Sequence, residues 1–171
     1  SWCTVSGVAV DVNTLQEQIV EASVAARVLR TLKAATKNAA LHHMADALVR
    51  RTDEIMRENA LDVADAKAAH RPGAMVDRLL LDEDRILAMA RGVRDVAALA
   101  DPIGAIESGY RLPNGLEVVR KRVPLGVVAV IYEGRPNVTS DAAALCLKSG
   151  NAVVLRGSSI AARSNGIIAE V

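Results

Sequence analysis

Two polar side chains in the stretch IYEGRPNV, residues 131–138, are the first candidates for chemistry. Arg135 offers a planar pair of donors and Asn137 an amide donor, so together they could bind a carboxylate, a phosphate or a developing oxyanion. The alternative is a loop between a strand and a helix, in which Asn137 or Thr139 caps the helix. The residue types favour neither interpretation, and Glu133 is expected to pair with Arg135 rather than act as a base.

A second polar cluster follows another apolar run in the stretch NAVVLRGSS. Gly157 lets a ligand approach the backbone, Ser158 and Ser159 supply hydroxyl groups, and the N-terminus of the next helix favours anions, so a nucleotide could bind here. A motif this short is more often a capped turn between a strand and a helix than a nucleotide site. The sequence contains neither GxGxxG nor a Walker A pattern, so neither standard phosphate loop is present.

The histidines and cysteines predict no metal centre and no nucleophile. His42 and His43 are adjacent on a predicted helix and point in different directions, and His70 stands apart from both. Cys146 lies between leucines, which favours a small buried hydrophobe over a reactive thiolate. Cys3 is too distant in sequence to suggest a disulfide framework, so we expect a reducing, cytoplasmic compartment.

The composition is typical of a globular chain with no charged partner. Of 171 residues, 51% are apolar and 24% are charged, and the net charge is +1. That balance gives no reason to expect nucleic acid or an anionic membrane, and aromatic residues for base stacking are scarce at 2%. The longest apolar run, 127–132, is far shorter than the roughly 20 residues of a membrane span.

Residues 14–100 carry apolar positions at helical spacing and predict about four amphipathic helices. Their predicted starts are a capping box of Thr14 with Glu17, and single caps at Asp53 and at Asp82.

The third predicted helix ends at the RPG break. Glu58, Asp62 and Asp65 are expected on its solvent-exposed face. The stretch that carries Asp65, Arg71 and Arg78 is therefore interpreted as a surface joint between helices rather than a site.

The hydrophobic period changes after residue 103. Asn114 and Gly115 in LPNGL are a strong hairpin signal, because an Asn-Gly pair accepts positive φ. The flanks at 106–110 and 116–123 predict a polar two-stranded ribbon. Such a ribbon is marginal alone, so we expect it to contact another sheet or subunit.

The apolar runs GVVAVIY and NAVVLR enclose a short helix, and a further helix follows. This order is a βαβ unit with parallel strands and a right-handed crossover, and its first run is expected to be covered on both faces. Ligands of open α/β sheets bind beyond the carboxyl ends of strands, where both polar clusters lie. The predicted fold class is α/β: amphipathic helices, a hairpin arm and the start of a parallel Rossmann-like sheet.

The stretch 122–159 resembles the γ-glutamyl phosphate reductase (glutamate-5-semialdehyde dehydrogenase) family of the aldehyde dehydrogenase superfamily. The specific pattern is VPLGV, IYE, RPNVT, LCLK, GNA and LRG, and LDVADAK, MVDRLLL and DPIG extend the likeness over nearly the whole chain. The resemblance implies NADPH-dependent reduction of L-glutamyl 5-phosphate to L-glutamate 5-semialdehyde and phosphate in L-proline biosynthesis. In that family a cysteine thiolate displaces phosphate, and hydride from NADPH reduces the resulting thioester.

The resemblance also divides the chain. It implies a flexible tail at 1–13, the helical part of the cofactor domain at 14–103, the hairpin arm at 104–123 and the start of the NADP-binding sheet at 124–171. The chain starts without Met and stops within an apolar helical run, so we expect a part of a longer protein. The catalytic domain with the family's cysteine is expected beyond Val171, which would leave the isolated chain inactive.

The resemblance assigns substrate contacts to Arg135 and Asn137, without deciding which of them faces the oxyanion. It assigns cofactor contacts to Arg156, Gly157, Ser158 and Ser159. The Arg156 side chain would face the 2′-phosphate of NADPH, and no metal is implied. The hairpin arm resembles the surface through which superfamily subunits associate, so a homo-oligomer is expected, and glutamate 5-kinase is a candidate partner.

Other interpretations remain open at this point. The same motifs fit another acyl-phosphate or aldehyde dehydrogenase, or the reductase half of a fused kinase–reductase. A helical and hairpin module that binds a partner without catalysis is the alternative from a different class. It would fold alone, whereas a truncated sheet would expose apolar edges.

Overall fold

The computed structural model describes residues 3–4 and 12–171, with side chains from Thr14 onward. Five helices precede a hairpin and a βαβ unit, and α7 ends the chain. The helices are α1 (Val12–Leu29), α2 (Ala34–Arg50), α3 (Thr52–Ala68), α4 (Gly73–Leu79), α5 (Glu83–Ala98), α6 (Asn137–Lys148) and α7 (Ala162–Ala169). The strands are β1 (Cys3–Thr4), β2 (Ile106–Arg111), β3 (Glu117–Lys121), β4 (Val127–Ile131) and β5 (Ala152–Arg156).

One of the three predicted helix starts is confirmed. Asp82 is extended and its carboxylate accepts a hydrogen bond of 2.8 Å from the Arg85 N–H. The other two are wrong. α1 begins at Val12, so Thr14 lies inside its first turn, and α3 begins at Thr52 directly after Arg51. Asp53 is the second residue of α3, so it lies inside the helix rather than at the cap position. The cap position is Arg51 (φ −100°, ψ 17°), whose side chain makes no capping hydrogen bond.

The helical layer packs around α2, α5 and α6. Its fully buried members include Leu41, Ile55, Ile86, Val93 and Ala144, drawn from four helices. Small and aliphatic side chains fill this core, as expected for a chain without Phe. The apolar face of each helix is thereby removed from water.

Asp62 corrects the expected wet face of α3, because its side chain is only 3% exposed. Its Oδ2 accepts 2.8 Å and 2.7 Å hydrogen bonds from the N–H and Oγ of Ser164, and Arg163 lies 3.2 Å from Oδ1. Asp65 is exposed, as predicted, and Glu58 is half-buried. A carboxylate on α3 therefore holds the N-terminal turn of α7, where negative charge is favourable.

Asn59, one turn earlier on α3, joins three elements. Its Nδ2 donates to the Leu79 carbonyl at 2.8 Å and to Ser164 Oγ at 2.9 Å, and its Oδ1 accepts from the Leu81 N–H at 2.8 Å. The side chain is 1% exposed, so these bonds are needed to satisfy it. They fix the α4–α5 joint beside α7.

The predicted βαβ unit is confirmed. β4 and β5 pair in parallel from Val127 opposite Ala152 to Ile131 opposite Arg156, and α6 connects them. β5 is buried at its centre, between β4 and β1. The expectation that β4 is covered on both faces is wrong within the described residues: it is an edge strand, and Ile131 is 82% exposed.

The first thirteen residues lie mostly outside the described part of the chain. Within them, Cys3–Thr4 pairs in parallel with β5. The flexible tail expected at 1–13 falls mostly on residues that the structure does not describe and stays a prediction.

The predicted hairpin is confirmed as the antiparallel pair β2–β3. Gly115 turns with φ +90°, and Asn114 Oδ1 accepts a hydrogen bond from the Leu116 N–H at 3.1 Å. Glu107 pairs with Arg120 and Arg122 across the ribbon at 3.2 Å and 2.8 Å. The ribbon is almost wholly exposed and forms a sheet of its own, so it projects as an arm.

Two buried lysines connect α6 to the helical layer. Lys37 Nζ lies 2.6 Å from Asp101 Oδ2 and donates to the Lys148 carbonyl at 3.0 Å. Lys148 Nζ donates to Asn38 Oδ1 at 2.6 Å and to the Ala97 carbonyl at 2.8 Å. Burial opposes ionisation of Asp101, but its bonds to Lys37 and Ile103 and the nearby lysine charges lower the pKa of that carboxyl.

We expect Lys37→Met to lower the free energy of unfolding by about 2 kcal/mol, because it leaves Asp101 and the Lys148 carbonyl without their charged donor. Urea unfolding followed by circular dichroism measures the change. Lys67→Met, at an exposed residue of α3, is the control and should stay within about 0.5 kcal/mol.

The Lys37–Asp101 pair predicts a pH dependence of the free energy of unfolding. Because the pKa of Asp101 is lowered in the folded chain, the stabilisation by this pair is complete above the unfolded pKa of about 3.9. It is lost as the pH falls through the lower folded pKa. Lys37→Met should flatten that acid limb. An unchanged stability and an unchanged acid limb would contradict the role assigned to this pair.

Candidate functional site

Two clefts open beside the carboxyl ends of β4 and β5. The first, of about 370 Å³, is called the strand-end cleft; Tyr132, Gly134, Ser158 and Ser159 line it together with Arg71, Arg78 and Arg135. The second, of about 390 Å³, is called the helix cleft and lies between the α4–α5 joint and the start of α6. Its polar lining consists of Asp77, Arg78, Arg85, Arg135, Asn137 and Asp141.

The structure brings most of the predicted site residues together. Arg135 lines both clefts, Asn137 lines the helix cleft, and Ser158 and Ser159 line the strand-end cleft. Arg156 lines neither of these two clefts, and its Nη1 donates to the Gly157 carbonyl at 2.8 Å. Parallel pairing explains the convergence, because both loops leave the sheet at the same edge.

The interpretation of Asn137 or Thr139 as a helix cap is wrong. Pro136, the residue before α6, is already helical (φ −60°, ψ −29°), and no side chain caps the helix. Asn137 Nδ2 instead donates to Asp141 Oδ2 at 2.9 Å, one turn along α6. Thr139 is buried and its Oγ1 lies 2.7 Å from the Tyr132 hydroxyl and 3.2 Å from Asn165 Oδ1.

The expected pairing of Glu133 with Arg135 is also wrong. The two residues share only a backbone bond, from the Arg135 N–H to the Glu133 carbonyl at 2.9 Å, and their side chains form no ion pair. The Arg135 side chain is exposed. Its guanidinium is therefore available to an anion in either cleft.

Only glycine fits at position 157, because the neighbouring side chains leave no room for a Cβ. A Cβ at this position would lie 2.2 Å from Asn165 Nδ2 and 3.2 Å from Tyr132 Cζ. Ser158, next in the chain, accepts from the Ile160 N–H at 3.4 Å and so begins the 3₁₀ turn Ser159–Ala161. Ser159 is exposed at the rim of the strand-end cleft.

Burial raises the pKa of three groups in or near the site. Burial raises the pKa of Asp141, and the hydrogen bond from Asn137 offsets only part of that rise. Burial likewise raises the pKa of Tyr132, against the effect of Thr139. Burial also raises the pKa of the Cys146 thiol, which is 7% exposed, so the prediction of a buried hydrophobe rather than a thiolate is confirmed.

Charged lining residues outside the predicted site include Arg71, Arg78 and Asp141. Arg71 and Arg78, expected in a surface joint between helices, both line the strand-end cleft, and Arg78 lines the helix cleft as well. Asp141 lines the helix cleft and belongs to none of the motifs singled out in the sequence. The available signals were the density of arginines between residues 71 and 85 and the i, i+4 spacing of Asn137 and Asp141.

Metal-binding clusters and membrane-spanning helices are both absent from the described residues. No group of three or more His, Cys, Asp or Glu side chains there is placed to hold a metal ion. None of the helices in that part of the chain combines the length and apolarity of a membrane-crossing segment.

Solved structures define the class of protein. A putative aldehyde dehydrogenase from Bacillus subtilis matches 92% of this chain with a TM-score of 0.66 at 16% identity, a likeness of fold alone. The chain therefore has an aldehyde dehydrogenase-like fold. The γ-glutamyl phosphate reductases of Thermotoga maritima (39% identity) and Saccharomyces cerevisiae (32%) match 90% and 91% of the chain, each with a TM-score of 0.87.

Sequence comparison finds relatives of one enzyme family. γ-Glutamyl phosphate reductases from Thermoanaerobacter sp. (strain X514) and Chloroflexus aggregans are 51% and 55% identical to 88% and 84% of the chain. Within its class the chain is thus similar to γ-glutamyl phosphate reductases over most of its own length, which confirms the resemblance inferred from the sequence. It spans about a third of those relatives (36% and 34%). No family model matches it.

We expect Gly157→Ala to lower the free energy of unfolding by about 1–3 kcal/mol, because the methyl group displaces buried Asn165 and breaks its bond to Thr139. Thermal unfolding measures the change. Gly166→Ala on α7 is the matched control: nothing lies within 4 Å of its Cβ, so alanine should be neutral or stabilise by about 0.5–1 kcal/mol. Equal midpoints for the two variants would contradict the packing argument.

Proposed function

We propose that this chain is part of an enzyme that reduces L-glutamyl 5-phosphate to L-glutamate 5-semialdehyde and phosphate, a step of L-proline biosynthesis. The observation that carries the proposal is the match to γ-glutamyl phosphate reductases at 51–55% identity. The position of Arg135 between two clefts supports it, because an acyl phosphate substrate carries anions that a guanidinium binds.

A reductase of this class needs a nicotinamide cofactor, and we propose NADPH at the strand-end cleft. Its lining supports a phosphate-bearing ligand, because three arginine side chains and the Ser158 and Ser159 hydroxyls outnumber the single carboxylate of Glu133. Gly157 and Arg156 do not line the cleft; they would meet the cofactor where it extends past the end of β5, with the Arg156 guanidinium near the 2′-phosphate. When bound, the nicotinamide supplies the hydride that reduces the thioester.

The residues of this chain would bind and orient rather than react. Arg135 and Asn137 would bind the substrate beyond β4, Arg135 through its guanidinium and Asn137 through the Asp141 carboxylate that it orients. The nucleophile would be the cysteine of the family's catalytic domain, whose thiolate displaces phosphate from the acyl carbon. Cys146 does not take that role, because it is buried and its thiol pKa is raised.

We also propose that subunits associate through the hairpin arm. The support is its exposure: Tyr110 is 63% and Val119 is 57% exposed on a ribbon that joins no other sheet. Association with glutamate 5-kinase and a cytoplasmic location remain predictions from the resemblance.

In a full-length enzyme that carries this chain, Arg135→Ala should lower kcat/KM for the acyl phosphate about tenfold or more, through loss of a charge-assisted contact. The assay follows the reverse reaction, phosphate-dependent reduction of NADP⁺ by glutamate semialdehyde; because the equilibrium constant fixes the ratio of the forward and reverse efficiencies, the same fold loss should appear in kcat/KM for the semialdehyde. Arg57→Ala, at an exposed position of α3, is the control and should leave kcat/KM unchanged in that assay. Normal kinetics for Arg135→Ala would remove this residue from the site.

Arg156→Ala should raise KM for NADPH more than KM for NADH, because only NADPH carries the 2′-phosphate. Initial rates with each cofactor at saturating substrate measure the two constants. Equal increases would contradict the 2′-phosphate contact and leave Arg156 as a residue that positions the loop through the Gly157 carbonyl.

A further inference from the structure

The helix cleft contains charged groups of both signs. Some of them make hydrogen bonds or ion pairs within the chain, and others make none and are available to a ligand. The Arg85 guanidinium donates to the carbonyl and carboxylate of Asp77 and to the carbonyl of Leu80. These contacts engage Arg85 and one carboxylate oxygen of Asp77, and they hold the α4–α5 joint in shape. Asp77 remains exposed at the rim of the cleft, whereas Asp141 is half-buried.

The available cations are Arg78 and Arg135. Among the described residues neither guanidinium makes an ion pair or hydrogen bond, and both side chains are exposed. They come from different elements: Arg78 from α4, and Arg135 from the loop after β4. Two unengaged guanidinium groups at one cleft are suited to bind a carboxylate.

The available anion is Asp141. Asn137 Nδ2 donates to its Oδ2 at 2.9 Å, which orients the carboxylate while its Oδ1 accepts no hydrogen bond from a described residue. Its half-buried position raises its pKa, so a bound cation would relieve the cost of its charge. A phosphate alone would be repelled by this aspartate, whereas a ligand with both charges satisfies the whole cleft.

The remaining wall is apolar. Leu80, Leu81, Ala88 and Met89 line the same cleft between the charged groups. Such a surface suits a short methylene chain, since apolar contact there removes it from water. The lining as a whole matches a small aliphatic α-amino acid.

We propose that the helix cleft binds the α-amino acid end of the substrate, with Arg78 and Arg135 holding the α-carboxylate and Asp141 holding the α-ammonium group. This inference rests on the proposed function and extends it, because it names the groups that distinguish a glutamyl substrate from other acyl phosphates. Asn137 then acts as a positioning residue for Asp141. The reacting carbonyl lies at the other end of the methylene chain, towards the strand-end cleft.

The test compares three aldehydes in phosphate-dependent NADP⁺ reduction by a full-length enzyme that carries this chain. Glutamate 5-semialdehyde has both charged groups, 5-oxopentanoate lacks the ammonium group, and 4-aminobutanal lacks the α-carboxylate. Asp141→Asn should reduce the preference for glutamate semialdehyde over 5-oxopentanoate about tenfold, and its preference over 4-aminobutanal should not change.

Arg78→Ala should give the opposite pattern, a roughly tenfold loss of the preference over 4-aminobutanal alone. Asp95→Asn and Arg91→Ala are matched controls on exposed positions of α5, and both should retain wild-type preferences. Preferences that stay at wild-type values in both site variants, while kcat/KM falls for all three aldehydes, would overturn the inference. So would an Arg78→Ala variant that raises only KM for NADPH.

A binding measurement separates this inference from the proposed function. Calorimetric titration with L-glutamate, glutarate and 4-aminobutanoate reports the two charged contacts without turnover. A wild-type enzyme that reduces no NADP⁺ would contradict the proposed function, and preferential binding of L-glutamate would still support the cleft assignment. Equal affinities for L-glutamate and glutarate in an active wild-type enzyme would contradict the cleft assignment alone.

Discussion

Parallel pairing of β4 with β5 is the constraint on which the site depends. Two neighbouring strands that run in the same direction release their following loops at one edge of the sheet. The pairing continues to Ile131 opposite Arg156, and the Tyr132 N–H donates to the Arg156 carbonyl at 3.1 Å. The loop with Arg135 and the loop with Ser158 therefore start side by side. Parallel strands need a long crossover, and α6 supplies it.

Buried polar contacts give that edge its second wall. Asn59 and Asp62 on α3 are almost fully buried, and they hold the α4–α5 joint and the start of α7. The joint fixes α4, which brings Arg78 into the lining of both clefts. Removing one partner of a buried hydrogen bond leaves the other unsatisfied and lowers the free energy of unfolding. These bonds therefore specify the arrangement of the helices more strictly than apolar packing alone.

The division of charge between the clefts follows from this geometry. Arg78 and Arg135 border both clefts, so one pair of cations separates the proposed cofactor site from the proposed substrate site. Asp141 is the half-buried anion of the helix cleft, whereas the strand-end cleft has the exposed Glu133 and the hydroxyl groups of Ser158 and Ser159. A reductase must bring an anionic cofactor and a charged substrate close together, and shared arginines reduce the repulsion between them.

Local patterns were enough to predict the helices, the Asn-Gly hairpin, the βαβ order and the strand-end position of Arg135 and Ser158, because these depend on periodicity and turn chemistry between near neighbours. They could not predict that Asp62 is buried or that Arg78 reaches both clefts. Those outcomes depend on partners up to 102 residues away, as between Asp62 and Ser164. A polar residue looks the same in sequence whether it meets water or a distant donor, and only packing of the helices onto the sheet distinguishes the two.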